Sequence, residues 1–153
     1  MTEIERIQEQ LKRAFEGGAW HGPAVLEALD GVDAVRAARR PIAAAHSIWE
    51  ITRHIATWKT VVRRRLHGEV FEVPDEMDWP PVRATDEVAW RTAVADLKAA
   101  HEQLIEAVKS APASRLDEPL VPGGSSGYVQ LHGVIQHDLY HAGQIVLLNK
   151  ATG

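Results

Sequence analysis

Apolar side chains along this chain recur at three- and four-residue intervals, and no stretch of useful length alternates apolar with polar. That interval lines one face of a helix, whereas alternation would line one face of a strand. Ile4, Ile7, Leu11 and Phe15 predict a first helix over about residues 2–15, broken by Gly17 and Gly18. A shorter helix, predicted from Pro23 to Leu29, starts with proline where its missing N–H does no harm. Residues 30–46, containing Arg39-Arg40-Pro41, read as a loop.

The second long helix announces its start. Ser47-Ile48-Trp49-Glu50 matches a capping box, with serine as N-cap and glutamate three residues on. Its apolar stripe is Ile48, Ile51, Ile55, Trp58 and Val62, and it is predicted to run to about Leu66. A loop with Pro74, Pro80 and Pro81 follows. The third helix is predicted to start at Thr85, with Asp86 and Glu87 in the first turn, where the helix dipole favours acids. Trp90, Val94, Leu97, His101, Leu104 and Val108 form its stripe, and Pro112 marks its end. Residues 122–127, Pro-Gly-Gly-Ser-Ser-Gly, read as a flexible lead-in to a last helix over about 128–149. That helix is apolar on much of its circumference, as a buried element is. Four long helices predict an all-α protein, a four-helix bundle, with residues 1–153 as one domain.

Composition narrows the function. The 153 residues are 45% apolar and 25% charged, enough for one core without disulfides or a structural metal. A net charge of −4 argues against a nucleic-acid binder. The N-terminus MTEIERIQEQ lacks an apolar signal region and no run is long enough to span a membrane, so a soluble cytoplasmic protein is expected. There is no cysteine, so any metal must be held by nitrogen and oxygen, and no nucleophilic thiol comes from the chain itself.

Eight histidines are many for this length, and their placement carries the chemistry. His137 and His141 lie four apart, which sets their Cβ atoms roughly 5–6 Å apart on one helix face. Two such imidazoles can converge on one ion at about 2.0–2.1 Å. They continue the stripe Val134, His137, His141, Ile145 and Leu148, so they face the core, where neighbouring imidazoles need polar partners. His54, three residues after Ile51 and four before Trp58, is the best third ligand from a facing helix. The plain alternative is a bundle whose histidines are satisfied core groups.

The segment from His46 to Trp58, HSIWEITRHIATW, together with His137 to Ile145, HDLYHAGQI, resembles the DinB/YfiT-like superfamily of four-helix bundles. The resemblance runs from the first helix to Leu148, and its more specific part is the His-x-x-x-His-x-Gly-Gln-Ile ending. It implies a metal site made by His54, His137 and His141, with an open coordination position filled by water, the pattern of catalytic zinc sites. Relatives include thiol S-transferases that use bacillithiol and mycothiol-dependent isomerases. His46 departs from the family pattern, which often has an aromatic residue before the Ser-Ile. The resemblance also implies pairing through helix faces, so a homodimer is expected.

A three-histidine site of this kind can lower the pKa of bound water or deprotonate an exogenous low-molecular-weight thiol. Zinc and nickel both suit imidazole ligands. The reading is a metal-dependent enzyme, an S-transferase or a hydrolase acting on a small molecule, set against a non-enzymatic metal-binding module. Further candidates surround the three ligands. His101 can line the site or shuttle protons. Glu50, four residues before His54, can orient an imidazole, although capping already explains it. Asp138 and Gln144 can support the imidazoles from behind. Tyr140 reads as packing, His132 as pointing elsewhere, and His21 and His67 as exposed. The tryptophans read as mostly core, with Trp79 in an entrance lid. Arg63-Arg64-Arg65 suits the end of the second helix as solvated surface, with anion binding as the alternative.

Overall fold

Side-chain caps fix where the helices begin. In the computed structural model, which describes residues 1–153, Thr2 Oγ1 accepts the Glu5 N–H at 3.2 Å while the Glu5 carboxylate accepts the Thr2 N–H at 2.6 Å. This opens α1, Glu3–Phe15. Two short helices follow, α2 at Val25–Leu29 and α3 at Ala34–Ala38. The second of these lies inside the expected loop. Asp33 caps it by accepting the Arg36 N–H at 2.8 Å, and Ala34 and Ala37 are buried, so five residues suffice.

The Ser47–Glu50 capping box is present, with bonds of 3.2 and 2.7 Å, and opens α4, Ile48–Leu66. A single turn, α5 at Asp75–Asp78, interrupts the next loop. Asp86 itself caps α6, Glu87–Ser110, accepting the Ala89 N–H at 3.0 Å; it therefore precedes the first turn. A further turn, α7 at Ser114–Asp117, leads to α8, Gly127–Ala151. The glycine-rich lead-in closes into a hydrogen-bonded turn, Leu120 N–H to Ser125 O at 3.1 Å and Gly127 N–H to Glu118 O at 3.0 Å. Gly127 has to be glycine here, because a Cβ would meet the Arg115 carbonyl oxygen at 2.1 Å.

The fold is all-α. The long helices α1, α4, α6 and α8 pack together, with α4 against both α6 and α8, and α1 closing the other side. No helix is long and apolar enough to cross a membrane. The apolar core falls into two clusters. One contains Phe15, Ile48, Ile51, Ile55, Leu97 and Ile145, the other Ile7, Leu11, Val62, Leu104, Leu131 and Val134. Each fully buried Leu or Ile stabilises the fold by roughly 1.5–3 kcal/mol. Where the two clusters meet on α4 and α8, polar residues enter the core: Lys59 on α4, with His54 just over a turn before it, and His137, Asp138 and His141 on α8. The bundle thus carries a polar layer at mid-height, and the chemistry concentrates there.

Candidate metal centre

His54 on α4 faces His137 and His141 on α8. The His137 Nε2 lies 2.9 Å from His54 Nε2 and 3.1 Å from His141 Nε2. The outer ring nitrogens are engaged elsewhere. His54 Nδ1 donates to the Asp78 carbonyl oxygen at 2.8 Å, with the Asp78 carboxylate at 3.1 Å. His141 Nδ1 donates to Gln144 Oε1 at 2.6 Å. A neutral imidazole that donates from Nδ1 keeps a lone pair on Nε2. Two lone pairs therefore converge beside His137, whose Nδ1 is buried without a protein partner. A proton on His137 Nε2 can satisfy only one neighbour well, whereas a cation satisfies all three.

Distances and basicity agree with that chemistry. Nitrogens bound tetrahedrally at about 2.0–2.1 Å to one ion sit roughly 3.3 Å apart; the two spacings to His137 are close to that, and the three ligand atoms lie within 4.8 Å of one another. Burial disfavours the charged imidazole at each position. It brings His137 down to about 3, helped by His141 and His54. It brings His141 down to about 4, against the Gln144 hydrogen bond. His54 is lowered too, mainly by burial, although Asp78 opposes this. Neutral imidazoles at pH 7 are what a divalent ion needs. The three residues can hold a divalent metal ion.

The α5 turn completes the surroundings. Trp58 on α4 donates its indole N–H to the Asp78 carboxylate at 2.7 Å, which holds Asp78 over His54. Trp79 stacks flat on His54 at 3.8 Å and on His46 at 3.6 Å. Two cavities flank the centre. One, of about 350 Å³, is lined by Ile42, His46, Trp79, Tyr140, His141 and Leu147. The other, of about 530 Å³, reaches His137 between Trp58 and Arg65.

Several expectations change. His101 does not line the centre. It is 2% exposed, stacks on Phe15 at 4.0 Å, and sits 3.4 Å from Lys59 Nζ; burial, with Lys59 adding, lowers its pKa to about 3. Glu50 does not orient His54, because its carboxylate serves Ser47 and Arg40; the Asp78 carbonyl takes that role. Asp138 makes no hydrogen bond to the three imidazoles and forms a fully buried ion pair with Lys59 at 2.6 Å. Burial pushes the Asp138 carboxyl up and the Lys59 amine down. Tyr140 is not packed inside; it is 66% exposed and lays its ring edge-on to His141 at 5.1 Å. Trp20 is fully exposed, whereas Trp49 and Trp90 are in the core. Gln144 stands where expected, His132 packs at a tilt against Tyr128 and is not one of the three clustered histidines, and His21 and His67 are exposed.

Asp78, Trp58 and Lys59 are the site residues that sequence reasoning missed. Asp78 acts chiefly through a backbone oxygen that no motif records. Lys59 did leave a signal, lying four residues after Ile55 and three before Val62, on the buried stripe itself.

Searches of curated proteins and of solved structures return no match to this chain. A family profile described as the DinB superfamily matches residues 18–145, which spans α4, α6 and all three histidines of the centre. The chain belongs to the DinB superfamily.

Proposed function

We propose that His54, His137 and His141 bind one divalent metal ion with a coordination position left open, and that the protein is a metal-dependent enzyme acting on a small molecule. The observation that carries this reading is the convergence of three Nε2 atoms, two with their Nδ1 protons already committed outward. No fourth side chain joins the cluster, and cavities reach it from two sides, which favours a reactive centre over a closed structural one.

When bound, such an ion supplies a Lewis-acid position that lowers the pKa of water or of a thiol. The chain supplies the rest. Asp78 and Gln144 fix the tautomers of His54 and His141 and aim their rings. Trp79 covers one face of His54 and keeps water from it. His46, 3.7 Å from the Glu50 carboxylate and stacked on Trp79, lines the cavity that reaches His141. The chain has no cysteine, so any reactive sulfur has to arrive on an exogenous thiol; S-transfer is preferred over hydrolysis on the resemblance to thiol-dependent relatives. The homodimer that the family resemblance implies belongs to the same proposal and is read by sedimentation.

The test is a panel of low-molecular-weight thiols offered with a chromogenic electrophile to zinc- and nickel-loaded protein. Metal-dependent consumption of electrophile that is lost in His137→Ala supports the enzyme. Full metal occupancy with neither thiol transfer nor ester hydrolysis overturns it in favour of a non-enzymatic module.

A further inference from the structure

Two of the three arginines that end α4 contrast in their surroundings. Arg64 is neutralised by Glu69 at 2.7 Å and lies over the Phe71 ring. Arg65 has no carboxylate within ion-pair distance. Its only side-chain hydrogen-bond partner is the neutral Gln130 Oε1 at 3.2 Å, its guanidinium carbon lies 5.9 Å from the Phe71 ring centre, and its Nε, like that of Arg63, is closed off from solvent with no acceptor. A guanidinium has five donors and a permanent charge, so leaving it half-buried against a neutral amide is costly unless an anion joins it. Its backbone is held in place, since Arg115 donates to the Arg65 carbonyl at 2.8 Å.

Arg65 lines the cavity of about 530 Å³ that reaches His137, within the size range of small-molecule sites, about 300–1,000 Å³. Trp58, Val62 and Val134 give it apolar walls, Ser125 and Gln130 add polar atoms, and no acidic residue lines it. The cavity on the His141 side holds no arginine or lysine. The Arg65 guanidinium carbon is 5.9 Å from the Trp58 ring centre, and that ring is 6.4 Å from the His137 ring. The order along the wall is cation, aromatic surface, histidine.

We propose that this cavity binds the carboxylate of a small amphipathic organic acid, with Arg65 gripping the carboxylate and Trp58 carrying the apolar body toward His137. Arginine suits a carboxylate because its planar fork offers two parallel donors. The anion site stands on Arg65 and the cavity; it rests on the proposed metal centre only for what the far end of the ligand meets.

Phenylacetate and its neutral isostere phenylacetamide are the probes, titrated by calorimetry into metal-free and zinc-loaded protein. Saturable phenylacetate binding is expected in both forms. Arg65→Gln should weaken it roughly ten- to a hundredfold, the range for a hydrogen bond to a charged group. Phenylacetamide should bind wild type no better than phenylacetate binds that variant. Arg64→Gln should bind as wild type does. Arg65→Lys, which keeps the charge and loses the fork, should fall between, and it serves as the second variant if the glutamine form does not fold. Equal binding of acid and amide, or unchanged binding in Arg65→Gln, overturns the proposal, as does inorganic phosphate competing as well as phenylacetate. A protein that binds phenylacetate but no metal contradicts only the metal centre; one that takes metal but not phenylacetate contradicts only the anion site.

Discussion

Replacing Lys59 with methionine removes the cation from a carboxylate that has no access to water. Lys59 and Asp138 are both 0% exposed, their charged atoms are 2.6 Å apart, and the second carboxylate oxygen, Asp138 Oδ1, has no other partner. Lys59 is the only group that lowers the Asp138 pKa, which burial raises. Without it, Asp138 must take up a proton to stay inside. An aspartate that ionises near pH 3.9 when unfolded then costs about 4 kcal/mol at pH 7, at about 1.36 kcal/mol for each pH unit. That agrees with the roughly 3–5 kcal/mol seen when one partner of a buried pair is removed. The sign follows from proton uptake. In the variant the folded state holds a proton that the unfolded state has released, so stability falls as pH rises above about 3.9 and recovers toward acid. At pH 5 the loss should shrink to about 1.5 kcal/mol by the same arithmetic. Urea unfolding of wild type, Lys59→Met, and the double variant Lys59→Met/Asp138→Leu at pH 5 and 7 measures this. The double variant should regain most of the loss and show no extra pH slope, because an apolar pair of similar volume replaces an ion pair at little cost. A Lys59→Met loss below about 1 kcal/mol and equal at both pH values would show that the pair is solvated, and would refute the reasoning.

Other predictions concern the imidazoles and their supports. Gln144→Leu removes the acceptor of the His141 Nδ1–H and should weaken zinc affinity about 10–100-fold, measured by competition with a chromophoric chelator, while leaving the helix content unchanged. His101 and His137 are held near pKa 3 by burial, against about 6.5 when unfolded. The metal-free protein should therefore keep its full stability above pH 6.5 and lose it as pH falls toward 3. One such histidine costs about 2 kcal/mol by pH 5, checked by urea unfolding across that range. Gly127→Ala should destabilise the start of α8, because its Cβ would sit 2.1 Å from the Arg115 carbonyl oxygen; circular dichroism melts against wild type read the loss.

What could be read from the sequence was local or periodic. The Ser47–Glu50 cap, the stripes of α4 and α6, and the four-residue spacing of His137 and His141 each depend on residues within a turn or two, and each is present in the fold. His54 was legible because one edge of the α4 stripe had to face α8. The rest depended on contacts between distant residues. Asp78 reaches His54 only because α5 folds back over α4, and it does so with a carbonyl that any residue possesses. Lys59 and Asp138 look like interruptions of apolar stripes until both are seen to be buried against each other. Arg65 is indistinguishable from Arg64 in sequence; in the fold Glu69 pairs with Arg64, whereas Arg65 meets the neutral Gln130 and lines a cavity. The short α3 offers too few residues for a period to show.

The central claim is that the three convergent Nε2 atoms bind a metal. Mass-spectrometric metal analysis of protein produced without a histidine tag, loaded with zinc or nickel and then desalted, tests it most directly. One equivalent of divalent ion is expected in wild type, falling to background in His54→Ala, His137→Ala and His141→Ala, with chelator lowering the wild-type melting temperature. Wild-type protein that retains no ion after loading, or alanine variants that retain as much as wild type, would contradict the account.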